Sequence, residues 1–201
     1  MRKTLFFGAL AITSAVVLGA CSSNDSPSGT QSNSSVPAPA PVSGQQGEHN
    51  TDDLTFAQQM IPHHSQALDM AKLVPSRSTN PKVIDLAGRI EKAQDPEIKQ
   101  MQGWLTTWAA GMTHESMPGM SGDSMPGMMS AGDLTKLGAA KGAEFDKMWL
   151  DMMIEHHQGA VDMAKTELGK GSNAGAKALA RKIIDAQQAE ITEMQGLLQQ
   201  S

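Results

Sequence analysis

Tyrosine is missing from this 201-residue chain, aromatic residues make up 3% of it, and cysteine occurs once. Each shortage excludes something. A β-sandwich draws on aromatic and β-branched side chains, and two of the four phenylalanines, Phe6 and Phe7, lie in the first few residues. A single cysteine allows neither an internal disulfide nor a thiolate cluster. Basic residues are also short, 16 against 21 acidic for a net charge of −5. Nucleic acid is therefore a poor partner, since phosphate binding needs a basic face. Beyond residue 20 no apolar run is long enough to span a bilayer.

What is present begins with a sorting signal. Arg2 and Lys3 precede an apolar stretch from Leu5 to Ala20 that ends in Leu18-Gly19-Ala20-Cys21. A charged start, a short apolar segment and a small-residue exit read as a signal peptide over 1–20 rather than a spanning helix. The Leu-Gly-Ala-Cys ending resembles the lipobox of bacterial lipoproteins, in which the cysteine, here Cys21, becomes the acylated N-terminus. The expected location is extracytoplasmic, lipid-anchored to the cell membrane or an outer membrane. Residues 21–50 are rich in Ser, Pro, Gly, Gln and Asn, cannot bury enough apolar surface to fold, and read as a tether.

The remainder, 51–199, contains an internal duplication. MIPHHSQALDMAK (60–72) and MIEHHQGAVDMAK (153–165) match at 9 of 13 positions with an offset of 93. The same offset carries Gln94, Glu97, Ile98 and Met101 onto Gln187, Glu190, Ile191 and Met194. Each copy reads as a helical hairpin: repeat 1 over 51–110 and repeat 2 over 133–199. Asp52 or Asp53 is expected to cap a first helix reaching about Val74, and Asn80-Pro81 opens a second. In repeat 2, one helix is expected from about Gly142 to Leu168, ending at Gly169, and another from about Asn173 to Gln199. Pro62 and Pro96 predict kinks or local breaks. Two hairpins give an all-α, four-helix bundle with a long connection over 111–132.

The helix faces carry polar groups where a core should be apolar. Leu54, Ala57, Met60, Ile61, His64, Leu68 and Ala71 form one stripe at about 100° per residue, with His64 at its centre. Repeat 2 does the same around His157, with Met153 in the stripe. His63 and His156 fall at the stripe edge, His63 beside Met70, and His156 beside Met152 and Met163. The second helices turn Gln94 and Glu97, and Gln187 and Glu190, toward the same axis. Carboxylates of this kind orient metal-binding imidazoles. One core histidine is usually a satisfied structural residue. Met-x-x-His-His occurring twice, each opposite a glutamate, points to a metal.

The connection is richer still in soft ligands. MTHESMPGMSGDSMPGMM (112–129) holds Met112, His114, Met117, Met120, Met125, Met128 and Met129, with SMPGM at 116–120 and again at 124–128. It has no helical or strand period, so a core role is not expected of it. Thioethers suit soft cations, Cu(I) above all, with imidazole as a borderline helper that also takes Cu(II), and Ag(I) is a further candidate.

The paired HHxxAxxMA stretches, Gln-x-x-Glu-Ile-x-x-Met at 94–101 and 187–194, and the Met-Pro-Gly-Met run resemble the domain-of-unknown-function 305 family over about residues 51–199. The resemblance implies a ferritin-like bundle, an exported protein, and copper binding linked to copper tolerance. It implies as ligands Met60, His63, His64, Met70, Met153, His156, His157 and Met163, together with the loop methionines. Pro62 opposite Glu155 sets the two halves apart next to these histidines. The expected function is to buffer, sequester or hand over copper, with a transfer partner or a second copy of the chain as possible protein partners. Two alternatives stand beside it. One is a metal-dependent oxidase, disfavoured because Met60 and Met153 stand where a Glu-x-x-His pair of a di-iron bundle would place carboxylates. The other is a structural or interaction bundle with a methionine partner surface.

Overall fold

A computed structural model describes residues 48–109 and 125–200. The signal, Cys21, most of the tether, and Met112, His114, Met117 and Met120 lie outside the described residues. Among the described residues there are five helices and no strand, an all-α bundle: α1 Thr51–Arg77, α2 Pro81–Ala109, α3 Ala131–Ala139, α4 Gly142–Lys170 and α5 Ala174–Leu198.

The helix ends follow side-chain capping, with some shifts from expectation. Asn50, not Asp52 or Asp53, caps α1, its Oδ1 accepting from Asp52 N at 2.9 Å and Asp53 N at 3.0 Å. Asp53 instead closes the capping box, accepting from Asn50 N at 2.6 Å. α1 continues past Val74 to Arg77, and α4 runs one residue beyond Gly169 to stop before Gly171. Neither Pro62 nor Pro96 interrupts its helix, and α1 also contains Pro75. A proline removes one helix hydrogen bond. Burial of Met60, His63, His64 and Ala67 on the flanking turns holds the helix across that gap. Asn80 caps α2 as expected, and Asn173 caps α5, each accepting through Oδ1 from helix amides at 3.0 Å. Ser130 caps the short α3, an element absent from the four-helix expectation.

α1 packs along α2 and α4 along α5, giving the two hairpins. The halves meet chiefly along the α1–α4 seam, while α2 and α5 lie further apart and are bridged by long side chains, Lys182 to Glu97 and Arg89 to Glu193. The apolar core is divided in two. One cluster gathers Ala67, Met70, Val74, Leu86, Ile90, Trp149, Met153 and Met194. The other gathers Phe56, Met60, Met101, Trp104, Ala160, Met163 and Ile183. Each buried Leu, Ile, Phe or Met contributes about 2 kcal/mol, so the two clusters supply the folding drive. Between them, at mid-height on all four long helices, lie His63 and His64, Gln94 and Glu97, His156 and His157, Gln187 and Glu190. A polar layer crosses the bundle between two dry ones.

A candidate metal centre between two apolar layers

All four histidines of the layer are fully buried. His63 and His156, expected at the edge of their stripes, are as deep as His64 and His157. The reason is the seam: α1 and α4 cover each other's edges, so the angle that faces away from one's own hairpin faces the other half. The His63 and His156 rings lie against each other across it, centroids 3.7 Å apart and tilted by 38°.

His64 and His157 turn inside their own hairpins. His64 Nε2 is 2.9 Å from Glu97 Oε2, and His157 Nε2 is 2.8 Å from Glu190 Oε2. Burial alone would raise the Glu97 carboxyl. Hydrogen bonds from His64 and Lys182, whose Nζ is 3.2 Å from Oε1, outweigh it and hold the group below its ordinary range. A carboxylate only accepts, so the Nε2 facing it carries the hydrogen and donates. The same holds for His63, whose Nε2–H donates to the Pro126 carbonyl at 3.0 Å. Fixing the hydrogen on Nε2 leaves the lone pair on Nδ1. The Nδ1 atoms of His63, His64 and His157, and both ring nitrogens of His156, are buried without a hydrogen-bond partner.

That is five orphaned nitrogens in one layer. An unsatisfied buried polar group costs about 1–3 kcal/mol, and a domain's whole stability is about 5–15 kcal/mol. The layer is thus costly as a structural device, and a cation would satisfy the lone pairs. The imidazoles of His63, His156 and His157 are held in the form a cation needs. Burial, then repulsion from His64, lowers His63 to about 3 against the opposing Pro126 contact. Burial and the neighbouring imidazoles drive His156 well below its ordinary value, with a weak contact to the His63 backbone opposing. Burial lowers His157 although Glu190 opposes it. Neutral imidazole is the metal-ligating form.

Met60 and Met101 border the layer on one side, Met153 and Met194 on the other, all fully buried. Met70 and Met163 stand further along the same helices, in opposite clusters. No three His, Asp or Glu side chains among the described residues converge as a ready metal cage. A cation here would draw on imidazole together with thioether. Gln94 and Gln187 are buried in the layer, Gln94 with neither amide atom paired.

The end of the connection is not free. Met125 and Met129 are buried and Met128 partly so. Met129 belongs to the core cluster beside Trp149, which corrects the expectation that this segment plays no core part. Gln66 explains the difference: its Nε2 donates to Met129 O at 2.9 Å and its Oε1 accepts from Met129 N at 2.7 Å. A side-chain amide supplies the backbone partners that a secondary-structure period would otherwise provide. Pro126, Gln66, Gly127 and Gly159 escaped the sequence reading. Their signal was present: Gln66 and Gly159 occupy equivalent positions of the duplication, and they differ.

Solved structures of the same shape exist. A Streptomyces coelicolor DUF305 protein named for its expected secretion is 36% identical with a TM-score of 0.67, over 74% of this chain and 91% of that one. A DUF305 fragment from Deinococcus radiodurans is 31% identical with the same TM-score, over 77% of this chain and all of that one. CopM in its Cu(II)-bound form is 32% identical with a TM-score of 0.63, over 74% and 96%. CopM has also been seen bound to Cu(I) and to Ag. The uncharacterised protein L153 of Acanthamoeba polyphaga mimivirus is 39% identical over 54 residues, 27% of this chain and only 36% of that protein. The profile of the domain of unknown function DUF305 spans residues 53–198, and the chain belongs to that family.

Proposed function

We propose that this protein binds copper outside the cytoplasm, tethered to a membrane by lipid on Cys21, and buffers Cu(I) or hands it on. The mid-bundle layer carries the reading. Four buried imidazoles present unpartnered lone pairs between Met60, Met101, Met153 and Met194, a donor set of soft sulfur and borderline nitrogen. Likeness to CopM, seen with Cu(I), Cu(II) and Ag, supports the choice of ion. Met112, His114, Met117, Met120, Met125 and Met128 would collect the ion and the layer would hold it, Glu97 and Glu190 orienting His64 and His157. The lipobox-like ending at Cys21 and the polar tether after it support the location.

An oxidase is the weaker reading. A di-iron centre needs several free carboxylates, and both oxygens of Glu97 are already engaged, by His64 and Lys182. The test is metal stoichiometry of the purified mature chain under reducing and oxidising conditions. It is compared with a variant carrying leucine at Met112, Met117 and Met120. The wild type is expected to retain Cu(I) after desalting and the variant to retain less. Copper-free wild-type protein after loading and desalting would refute the proposal.

A further inference from the structure

We infer that the open cleft between α1 and α4 is the port through which a cation reaches the histidine layer, and that the Met163 thioether passes it inward. This rests on the copper reading above.

One groove runs between the two helices. They are antiparallel, since Asp53 meets Ser172 while His63 meets His156. On α1 the wall of the groove steps through Asp52, Phe56, Gln59, His63 and Gln66, and on α4 through Thr166, Met163, Gly159 and His156. The connection occupies one end of it. The Pro126 carbonyl accepts from His63 Nε2 at 3.0 Å, and Gln66 grips both backbone groups of Met129. On α4 the chain settles onto Gly159: a Cβ there would lie 2.0 Å from Pro126 O and 2.9 Å from Gly127 Cα. Gly127 has φ +76°, and its own Cβ would come within 2.6 Å of Glu155 O. Both glycines are thus required by close approach, Gly127 by its left-handed backbone too. Among the described residues the other end of the groove is open, a cleft of about 210 Å³ with Pro126 as its end wall.

The cleft stops where the layer begins. Gln59 stands one turn before His63, and Met163 two turns from His156, about 6 and 10 Å along the helix axes. Met60 lies between those levels, fully buried and in the same apolar cluster as Met163. A bare cation cannot cross that cluster unaided, because burying an unpaired charge is prohibitive. Sulfur on the cleft wall and again beside the layer replaces its water on the way. Thioethers need no deprotonation, so they can take the ion and release it to imidazole. The entrance also favours cations. Asp52 and Asp162 line it, and carboxylates at a cleft raise the local cation concentration.

A second cleft, of about 400 Å³, reaches Pro126 from the α5 side. Ile154, Gln158 and Ile191 wall it, and among the described residues no thioether does. A soft cation entering there would shed its water against isoleucine. The sulfur-lined cleft is therefore the route.

The experiment follows Cu(I) release from the full mature chain into excess coloured chelator, uptake from the same chelator, and affinity by competition. A ligand of the path changes both rates and leaves the equilibrium alone, whereas a ligand of the bound ion changes the equilibrium. Met163→Leu conserves core volume. It should slow uptake and release alike by about tenfold, with affinity within about twofold of wild type. Gln59→Trp, which fills the cleft without touching its sulfur, should slow both as well. Gln158→Trp fills the second cleft instead and should leave both rates at the wild-type value. Wild-type rates in either Met163→Leu or Gln59→Trp would overturn the port, as would slowing by Gln158→Trp. Weaker binding by Met163→Leu at an unchanged uptake rate would make Met163 a ligand of the bound ion and overturn its part in the path. A wild type that takes up no Cu(I) would refute the copper reading itself, and the port would fall with it.

Discussion

Two buried groups make the stability of the metal-free protein respond to pH in opposite directions, and one substitution separates them. His63 is lowered to about 3 from 6.5 by burial. A depressed imidazole contributes stability that is present above its unfolded pKa and lost as pH falls toward the folded one. From pH 7.5 to 5 the unfolded chain takes up this proton and the folded chain does not, a loss of about 2 kcal/mol. His156 and His157 add in the same sense. Glu167 runs the other way. Burial, then the Asp53 carboxylate beside it, raises it to about 8 from 4.5. A raised carboxyl contributes stability that is full below its unfolded pKa and is lost as pH rises through the folded one. Over the same fall from pH 7.5 to 5 it gives back about 3 kcal/mol. The wild type should therefore lose about 3 kcal/mol less than a protein without this carboxyl across the same range. Glu167→Gln cannot titrate, so its stability should drop by about 2 kcal/mol or more between pH 7.5 and 5. Urea unfolding of chelator-treated protein, followed by tryptophan fluorescence, measures both curves. Parallel curves for the two proteins would refute the reading of Glu167. A level curve for Glu167→Gln would refute the desolvated histidines.

Two further predictions concern buried carboxylates, in the layer and at the end of the bundle. Replacing Glu97 and Glu190 together by glutamine should leave the helical content unchanged and weaken Ag(I) binding by about 10- to 100-fold; equal affinity by competition titration would contradict the orienting role. Asp53 accepts from Asn50 N, Ser172 N, Ser172 Oγ and Asn173 N, and so binds the start of α1 to the α4–α5 turn. Asp53→Ala should cost about 3 kcal/mol in urea at pH 5, where Glu167 keeps its proton, and a change below about 0.5 kcal/mol would refute it.

The duplication and the helix faces made much of this legible. An ungapped offset of 93 carried His64–Glu97 onto His157–Glu190, and both pairs form as that register implies. Stripe angles placed His64 and His157 in the core because those positions face their own hairpin partners. They misjudged His63 and His156, because burial along a seam depends on how two hairpins meet, which no single helix encodes. The α1 cap was misplaced for a local reason: Asn50 and Asp53 share a box, and either can be read as the cap. The Met125–Met129 segment was least visible. Its burial comes from Gln66 and from a glycine-to-glycine approach across 32 residues, contacts with no period to betray them. The difference between Gln66 and Gly159 inside an otherwise matching motif was the available clue.

The central claim is that imidazole and thioether in the mid-bundle layer together hold a soft cation. X-ray absorption on the Cu(I)-loaded chain with leucine at Met112, Met117 and Met120 tests it most directly, since those loop sulfurs are then gone. The predicted first shell contains both nitrogen and sulfur, and the nitrogen contribution is lost when His63, His64, His156 and His157 are replaced. A shell of sulfur alone, or one unchanged by removing the four histidines, would contradict it.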